Sequence, residues 1–140
     1  MSKRIIIVGS GNAALCAGIA ALEKNASVEI YEKADKNLAG GNTKYTAGAM
    51  RFAYENANEF KDFLVDPTDQ RLEKTEFGSY SKDKFLKDLL NFNDGTPISE
   101  EQQTLVAKSY DTIKWLASHN VKFEPIYSRQ SFLKNGKNVF

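Results

Sequence analysis

The sequence RIIIVGSGNAA, from residue 4 to residue 14, contains the signals that indicate the fold most strongly. Its first part, RIIIV, is a short β-branched run that is typical of a strand buried on both faces. Gly9 ends the run, and NAALCAGIAALEK at 12–24 predicts a helix. The first ten positions of that helix carry no charge, so we expect much of its circumference to be buried. SVEIYE at 27–32 alternates in polarity and predicts a second strand, which completes a βαβ unit.

The segment GSGNAA at 9–14 fits the pattern G-x-G-x-x-G/A. It follows a predicted strand and opens a predicted helix, which is the setting that a dinucleotide site requires. Gly9 permits the tight turn, and Gly11 lets the backbone approach a pyrophosphate without an intervening Cβ. Ala14 and Gly18 let the helix pack close to the sheet. The pyrophosphate would lie on the free N–H groups at the start of the helix.

An acidic residue completes this first motif. Glu32 closes the second strand, about 20 residues beyond the glycines, where the motif expects a carboxylate. A carboxylate there accepts hydrogen bonds from both ribose hydroxyls and repels a 2′-phosphate, which disfavours NADP. The alternative is that the glycines only make a turn and that Glu32 is a solvated acid at a strand end.

The composition excludes several classes of protein. The chain has 140 residues, 41% of them hydrophobic, and a formal net charge of +1, which suits one domain with a modest core. A near-neutral charge gives no electrostatic case for binding nucleic acid. One cysteine and one histidine exclude a disulfide framework and a histidine-rich or thiolate metal site within the chain, so we expect no metal. The low cysteine content fits a reducing, cytoplasmic compartment best. A signal peptide is disfavoured, because the glycine turn breaks the apolar N-terminal run that it would need.

The middle of the chain is less regular. Residues 33–45 form a loop rich in Gly, Asn and Lys, and TAGAMRFA at 46–53 predicts a short helix. Residues 54–80 are polar and irregular, and we expect short helical pieces there. We therefore divide the chain into a βαβ unit with its following loop, residues 1–53, and a mainly helical continuation, residues 54–140.

Two longer helices are predicted in the continuation. Ser81 is a candidate N-cap for a helix at 81–91, and Ser99 has capping-box spacing to Gln102 at the start of a second helix. That helix should end near residues 119–120. VKF at 121–123 predicts a short strand, and we expect no closing strands of an FAD domain at LKNGKNVF, the last eight residues.

A second cluster of small residues, GGNTKYTAGAM at 40–50, follows soon after the first motif. It resembles the segment that approaches the flavin in the fumarate reductase and succinate dehydrogenase flavoprotein family. More narrowly, GGNTKYTAGAMRFAY, FGSYSKDKFLKDLL and DTIKWLASHNVKFEP are similar to FAD-dependent tricarballylate dehydrogenases. The resemblance covers nearly the whole chain. It implies an α/β fold, in which a Rossmann-like FAD-binding βαβ unit and a helical segment form an incomplete FAD-binding domain.

The resemblance also implies roles for the residues of the second cluster. Its backbone would pass the pyrophosphate and ribityl chain and reach the flavin ring, so that one long cofactor is approached twice. Asn42 would contact the cofactor, and Thr43 or Thr46 would offer a hydroxyl near the reactive flavin nitrogen. Together with the first motif, the candidates for binding FAD are Gly9, Gly11, Asn12, Ala13, Ala14, Glu32, Lys33, Gly40, Gly41, Asn42, Thr43, Thr46, Ala47 and Gly48.

Three positions differ from common patterns in the family. Ala14 stands where a third glycine is usual, and Ala49 replaces a glycine that is common in soluble fumarate reductases. In membrane-bound succinate dehydrogenases and fumarate reductases, a histidine in this loop carries the flavin covalently. That histidine would fall on Asn42, which has no nucleophilic ring nitrogen, so we expect non-covalent FAD.

The activity implied by the resemblance is hydride transfer between a small polycarboxylate, such as tricarballylate, and FAD. We expect this chain to be the N-terminal piece of such an enzyme, with its catalytic residues beyond residue 140, and to be inactive alone. Arg129 is a candidate for the substrate carboxylate, since arginine pairs bidentately with carboxylates. The resemblance further implies a membrane-bound electron-transfer partner, which would hold the protein at the inner face of the membrane.

Two other functions stay open. One is a different reaction of the same superfamily, such as fumarate reduction or a ketosteroid-type desaturation. The other belongs to a different class, a non-catalytic module that binds only a nucleotide.

Overall fold

A computed structural model describes residues 3–140. The chain forms two compact units, and the boundary between them lies between Met50 and Arg51. None of the helices within the described residues is long and apolar enough to cross a lipid bilayer.

The first unit is a βαβ unit, as the sequence predicts. Strand β1 (Arg4–Val8) is followed by helix α1 (Asn12–Leu22) and strand β2 (Ser27–Tyr31). The two strands pair in parallel, with Arg4 opposite Ser27 and Val8 opposite Tyr31. Asn25, with φ of 57°, lies in the left-handed region just after α1, where it ends the helix as expected.

Helix α1 packs on one face of this two-stranded sheet. Gly18 is its buried residue. A Cβ built on Gly18 would lie 3.5 Å from Cδ1 of Ile7 and 3.7 Å from side-chain atoms of Ile30 and Val28. These are ordinary van der Waals distances, so the helix lies close to the apolar residues of both strands at Gly18.

The expected burial of β1 and α1 is wrong for the described residues. Val8 is 84% exposed and Leu22 is 56% exposed, and Ile6 and Leu15 are also exposed. The reason is the small size of the sheet, since one helix on two strands covers only one face. A β-branched run indicates a preference for burial, but the neighbouring elements decide whether that burial occurs.

The second unit, residues 51–140, is mainly helical with a small sheet. The sheet has the order β3-β5-β4, in which β5 pairs in parallel with β3 and antiparallel with β4. Its helices and strands are α2 (Gln70–Glu73), β3 (Thr75–Glu76), α3 (Lys82–Phe92), α4 (Glu100–Ser118), α5 (Tyr127–Gln130), β4 (Phe132–Lys134) and β5 (Lys137–Val139).

Two apolar clusters form the core of this unit. The first contains the buried residues Phe60, Leu64, Leu72 and Phe77, and the rings of Phe60 and Phe77 meet edge to face at 5.2 Å. The second contains Ala53, Phe85 and Val106. The first cluster packs the irregular segment together, and the second packs Ala53 against α3 and α4. The burial of apolar surface in both clusters stabilises the unit.

The predicted helix starts are confirmed. Ser81 accepts a hydrogen bond from the Lys84 N–H and caps α3. Ser99 and Gln102 form a complete capping box at the start of α4, and α4 ends at Ser118 with His119 as its C-cap, close to the expected end. The short helical pieces expected between residues 54 and 80 are also present, as the 3₁₀ turns Ala57–Glu59 and Lys61–Phe63 and as α2.

Three local expectations are wrong or only partly met. Residues 46–53 form turns rather than a helix, because Ala47 and Gly48 adopt positive φ values of 55° and 69°. Of residues 121–123, only Phe123 makes a β-bridge, to Leu64. The last residues form the hairpin of β4 and β5, whose turn contains Asn135 and Gly136 at φ of 51° and 75°.

Candidate cofactor site

The glycine turn after β1 lies beside the end of β2. The N–H of Gly9 donates to the carbonyl of Tyr31 at 2.7 Å, which continues the parallel pairing by one residue. Gly9 has φ of 98°, a conformation that L side chains rarely adopt. The chain therefore turns sharply at Gly9 and brings Ser10 next to Glu32.

Two hydrogen bonds, one to each oxygen, contribute most to holding the carboxylate of Glu32. The Ser10 hydroxyl donates to Oε2 at 2.5 Å, and the Ala34 N–H donates to Oε1 at 2.8 Å. These bonds, first from Ala34 and then from Ser10, lower the pKa of Glu32 from its ordinary value. Hydrogen bonds of this kind favour the charged form, so Glu32 is a carboxylate at neutral pH and acts as an acceptor.

The start of α1 faces the second glycine cluster. Gly11 is the N-cap of α1, and the N–H of Asn12 donates to Oγ1 of Thr43 at 3.1 Å. A Cβ built on Gly11 would lie 3.2 Å from the same Oγ1 and 3.3 Å from the carbonyl oxygen of Gly40. The two glycine motifs are thus in contact, and a side chain at Gly11 would crowd the backbone of the second.

The glycines of the second cluster adopt positive φ values, which glycine tolerates better than other residues. Gly40 and Gly41 have φ of 106° and 53°, and a short 3₁₀ helix follows over Gly41–Tyr45. A Cβ on Gly41 or Gly48 would meet nothing within 4 Å. Ala47 has φ of 55°, which costs a residue with a Cβ about 1–2 kcal/mol. Backbone strain of this kind occurs often in segments that clamp a ligand.

Hydrogen bonds between residues close in sequence order the rest of this loop. The Thr46 hydroxyl donates to the carbonyl of Thr43 at 3.0 Å, and the Gly48 N–H donates to Oγ1 of Thr46 at 3.3 Å. The Lys44 ammonium donates to the carbonyl of Asn37. Asn42 is exposed on the 3₁₀ helix. The loop is therefore ordered by its own side chains while leaving Asn42 accessible.

Several predicted site residues therefore meet in the first unit. Contacts join Gly11, Asn12, Glu32, Gly40 and Thr43, directly or through Ser10. Ala13 and Ala14 lie in the first turn of α1, and Lys33 is exposed beside Glu32.

The substrate candidate lies in the second unit. Arg129 is exposed in the short helix α5. The geometry of this helix gives no contact that singles out Arg129 for a carboxylate, so its role stays a prediction.

Sequence reasoning missed Ser10 as a site residue. Its hydroxyl donates to Glu32 and accepts the Gly40 N–H at 3.1 Å. A signal was present, because parallel strands end at the same edge of a sheet. The loop that follows β1 must therefore lie close to the residue that closes β2.

This arrangement suits the adenosine and pyrophosphate part of a dinucleotide. A helix N-terminus favours a negatively charged phosphate, and an ionised carboxylate accepts from a pair of ribose hydroxyls. No atom lies within 4 Å of where a Cβ would stand on Gly9, so a ligand can approach the backbone there. Within residues 3–140, no group of three His, Cys, Asp or Glu side chains could hold a metal ion.

Comparisons with known proteins agree with this interpretation. The family described as FAD binding domain matches residues 4–135. Digoxin reductase of Eggerthella lenta is 26% identical over 120 residues, which cover 86% of this chain and 19% of that protein. Fumarate reductase (cytochrome) of Shewanella frigidimarina is 28% identical over 114 residues, which cover 81% of this chain and 17% of that protein.

The chain spans about a fifth of the length of the curated relatives that it matches. No solved structure matches it. The family match covers nearly the whole chain and agrees with the glycine motifs, the helix N-terminus and the carboxylate at the end of β2. The chain therefore belongs to the FAD binding domain family, and FAD is its cofactor.

Proposed function

We propose that this chain is the FAD-binding part of an oxidoreductase that transfers a hydride between a small polycarboxylate and FAD. The main support for the proposal is that hydrogen bonds join the two glycine motifs beside Glu32. Ser10 bonds both Glu32 and Gly40, and Thr43 bonds Asn12. FAD supplies the redox chemistry when it is bound, and the protein binds it, orients it and excludes competing reactions.

The residues of the first unit would share the work of holding the cofactor. Glu32 binds the adenosine ribose, and the start of α1 at Asn12 and Ala13 binds the pyrophosphate. The second glycine cluster, from Gly40 to Gly48, passes the rest of the cofactor. The contact between Thr43 and Asn12 supports this division, because it joins the second cluster to the pyrophosphate end of the site.

The substrate that we propose is tricarballylate or a closely related polycarboxylate. The support is the resemblance of residues 40–54 and of two later segments to tricarballylate dehydrogenases. Arg129 is exposed and has the bidentate donor geometry that binds a carboxylate. The groups that transfer the proton would come from outside these 140 residues, and electrons would leave through a membrane-bound partner.

A second candidate reaction is reduction of an unsaturated substrate, of which fumarate is the simplest. The observation that favours it is that both relatives carry names of reductases, one for digoxin and one for fumarate. The two candidates use the same FAD site and differ in the direction of hydride transfer, so the binding geometry of the first unit serves both.

The test is a pair of activity assays on the purified full-length holoprotein that contains this chain. Tricarballylate and succinate are offered with an oxidised artificial electron acceptor, and fumarate is offered with a reduced electron donor. The proposal expects turnover of tricarballylate above that of succinate. Turnover of fumarate alone would favour the second candidate. A protein that binds ADP but keeps no flavin and turns over none of the three would be a nucleotide-binding module.

A further inference from the structure

Ser10 makes two hydrogen bonds that join three parts of the cofactor site. Its hydroxyl donates to Oε2 of Glu32 at 2.5 Å and accepts the N–H of Gly40 at 3.1 Å. A serine hydroxyl has one donor hydrogen and two acceptor lone pairs. The single donor is therefore directed at the carboxylate, while the oxygen anchors the second glycine cluster.

The backbone explains why Ser10 occupies this position. The parallel register ends with Val8 opposite Tyr31, and the Gly9 N–H bonds the Tyr31 carbonyl. Ser10 follows Gly9 at the end of one strand, and Glu32 follows Tyr31 at the end of the other. The contact thus follows from the strand pairing and the turn at Gly9.

The Ser10 bond leaves Glu32 able to bind a ligand. An ionised carboxylate has about four lone-pair sites. The shortest hydrogen bonds to it come from the Ser10 hydroxyl and the Ala34 N–H, and the backbone of Ser10 and Lys33 contributes smaller interactions. The ribose hydroxyls would use the remaining lone pairs. The two bonds fix the direction in which those remaining lone pairs point.

We propose that Ser10 is a positioning residue for FAD. It orients the Glu32 carboxylate toward the adenosine ribose, and the hydrogen bond that it accepts from the Gly40 N–H fixes where the hydroxyl lies. This inference rests on the proposed function, in which Glu32 binds the ribose. A side chain without a hydroxyl at Ser10 would leave Oε2 of Glu32 with one donor fewer and the Gly40 N–H without its acceptor.

The test is a double-mutant cycle on ligand binding. Apoprotein of the wild type, Ser10→Ala, Glu32→Ala and the double variant is titrated with FAD, ADP and FMN. FAD and ADP contain the adenosine ribose and FMN does not. Ser27→Ala is the matched control, because Ser27 is an exposed serine of β2 in the same unit.

We expect Ser10→Ala to weaken both FAD and ADP about tenfold, the size of effect that a lost charge-assisted hydrogen bond gives. In the Glu32→Ala background the same change should cost less than about threefold, because the residue through which Ser10 acts is gone. FMN binding and the Ser27→Ala control should be unaffected. If Ser10→Ala does not fold, as judged by circular dichroism, Ser10→Cys replaces it, since a thiol is a similar size but a weak donor.

The inference is overturned if Ser10→Ala binds FAD and ADP as tightly as the wild type, or more tightly, because the hydroxyl would then be dispensable or would compete with the ribose. It is also overturned if the loss is equal in the Glu32→Ala background or extends to FMN. An effect of Glu32→Ala without one of Ser10→Ala leaves the proposed ribose site standing. If Glu32→Ala itself has no effect, the proposed site fails and the inference fails with it.

Discussion

Gly11 and Thr43 approach so closely that a Cβ on Gly11 would stand 3.2 Å from Oγ1 of Thr43. That oxygen accepts the N–H of Asn12, the first residue of α1, at 3.1 Å. The carbonyl oxygen of Gly40 would be almost as close to the added Cβ, at 3.3 Å. Gly11 is therefore needed here for the contact between the two glycine motifs as well as for access of a pyrophosphate to the helix.

Gly11→Ala should weaken FAD binding by about tenfold or more and destabilise the first unit by about 1–3 kcal/mol, the usual cost of overpacking. The added methyl must displace Thr43 or the Gly40 backbone. The measurements are FAD titration of the apoprotein and urea unfolding.

Gly18→Ala is the matched control for that change. Gly18 lies in the same helix, but its added methyl would make ordinary contacts at 3.5–3.7 Å, and alanine favours the helix by about 1 kcal/mol. We expect its stability and FAD affinity to be equal to or above those of the wild type. Equal losses in the two variants would show that the contact at Gly11 has no special importance.

The pH dependence of FAD binding should reveal the charge on Glu32. Hydrogen bonds from Ala34 and then Ser10 lower its pKa below the ordinary value, which is about 4.3 for glutamate. The contribution of the Glu32 carboxylate to FAD binding is therefore fully present above the ordinary pKa of glutamate. It is lost as the pH falls through the lowered pKa of Glu32.

The ratio of FAD affinities between the wild type and Glu32→Gln should accordingly stay constant from about pH 7 to pH 5, since the group does not titrate above its ordinary pKa of about 4.3. The dissociation constants are measured by fluorescence titration across that range. A ratio that collapses between these pH values would mean that the pKa of Glu32 is raised, and the assigned hydrogen bonds would be wrong.

Ser109 should contribute to the stability of the second unit. Its buried hydroxyl accepts the N–H of Ala53 at 3.0 Å and donates to the carbonyl of Val106 at 2.9 Å. Ser109→Ala leaves the buried Ala53 N–H unsatisfied, which should cost about 1–3 kcal/mol of unfolding free energy.

Ser118→Ala provides the comparison, because Ser118 lies in the same helix and its hydroxyl also donates to the carbonyl three residues earlier, at Trp115. Ser118 is exposed, so its loss should change the unfolding free energy by less than about 0.5 kcal/mol. Urea unfolding measures both variants. Similar small changes in the two would show that the Ser109–Ala53 bond adds little.

FAD should be held without a covalent bond. Asn42 occupies the loop position at which a histidine would carry the flavin, and an amide nitrogen is not a nucleophile. The chain's only histidine, His119, lies at the end of α4 in the second unit. Acid precipitation of the holoprotein should leave a yellow supernatant and a colourless pellet. Flavin fluorescence that stays with the protein band on a denaturing gel would contradict this assignment of Asn42.

The βαβ unit could be predicted because its signals are local. The β-branched run of β1, the turn at Gly9 and the uncharged helix all lie within about 20 consecutive residues, and each favours the same unit. The exposure of Val8 could not be predicted in this way. Burial depends on which elements cover a strand, and that is a property of the packing rather than of the run itself.

Turn chemistry explains two other differences. The dipeptide Asn135-Gly136 is the strongest short signal for a hairpin, because both residues tolerate the positive φ that the tight turn requires, so β4 and β5 could have been predicted. The helix predicted at 46–53 is wrong for a related reason. Its alanines and Met50 favour a helix, but Ala47 and Gly48 adopt left-handed conformations that no α-helix contains.

The contacts of the site needed the structure. The glycines and Glu32 follow from a known spacing, whereas the bonds of Thr43 to Asn12 and of Ser10 to Gly40 join residues about 30 positions apart. The conformational preferences of neighbouring residues do not indicate a contact over such a separation in sequence. Strand register would have indicated the nearness of Ser10 to Glu32, but the loop conformation at Gly40 decides the rest.

The most direct test of the account is competition between nucleotides for the first unit of the purified apoprotein. Calorimetric titration uses FAD, ADP, AMP and adenosine 2′,5′-bisphosphate, because AMP and the bisphosphate differ only in the 2′-phosphate. FAD and ADP should compete for one site, and the 2′-phosphate should weaken binding relative to AMP by about tenfold or more, because it meets the ionised Glu32. Failure of FAD and ADP to bind, or equal affinity for AMP and the bisphosphate, would contradict the account.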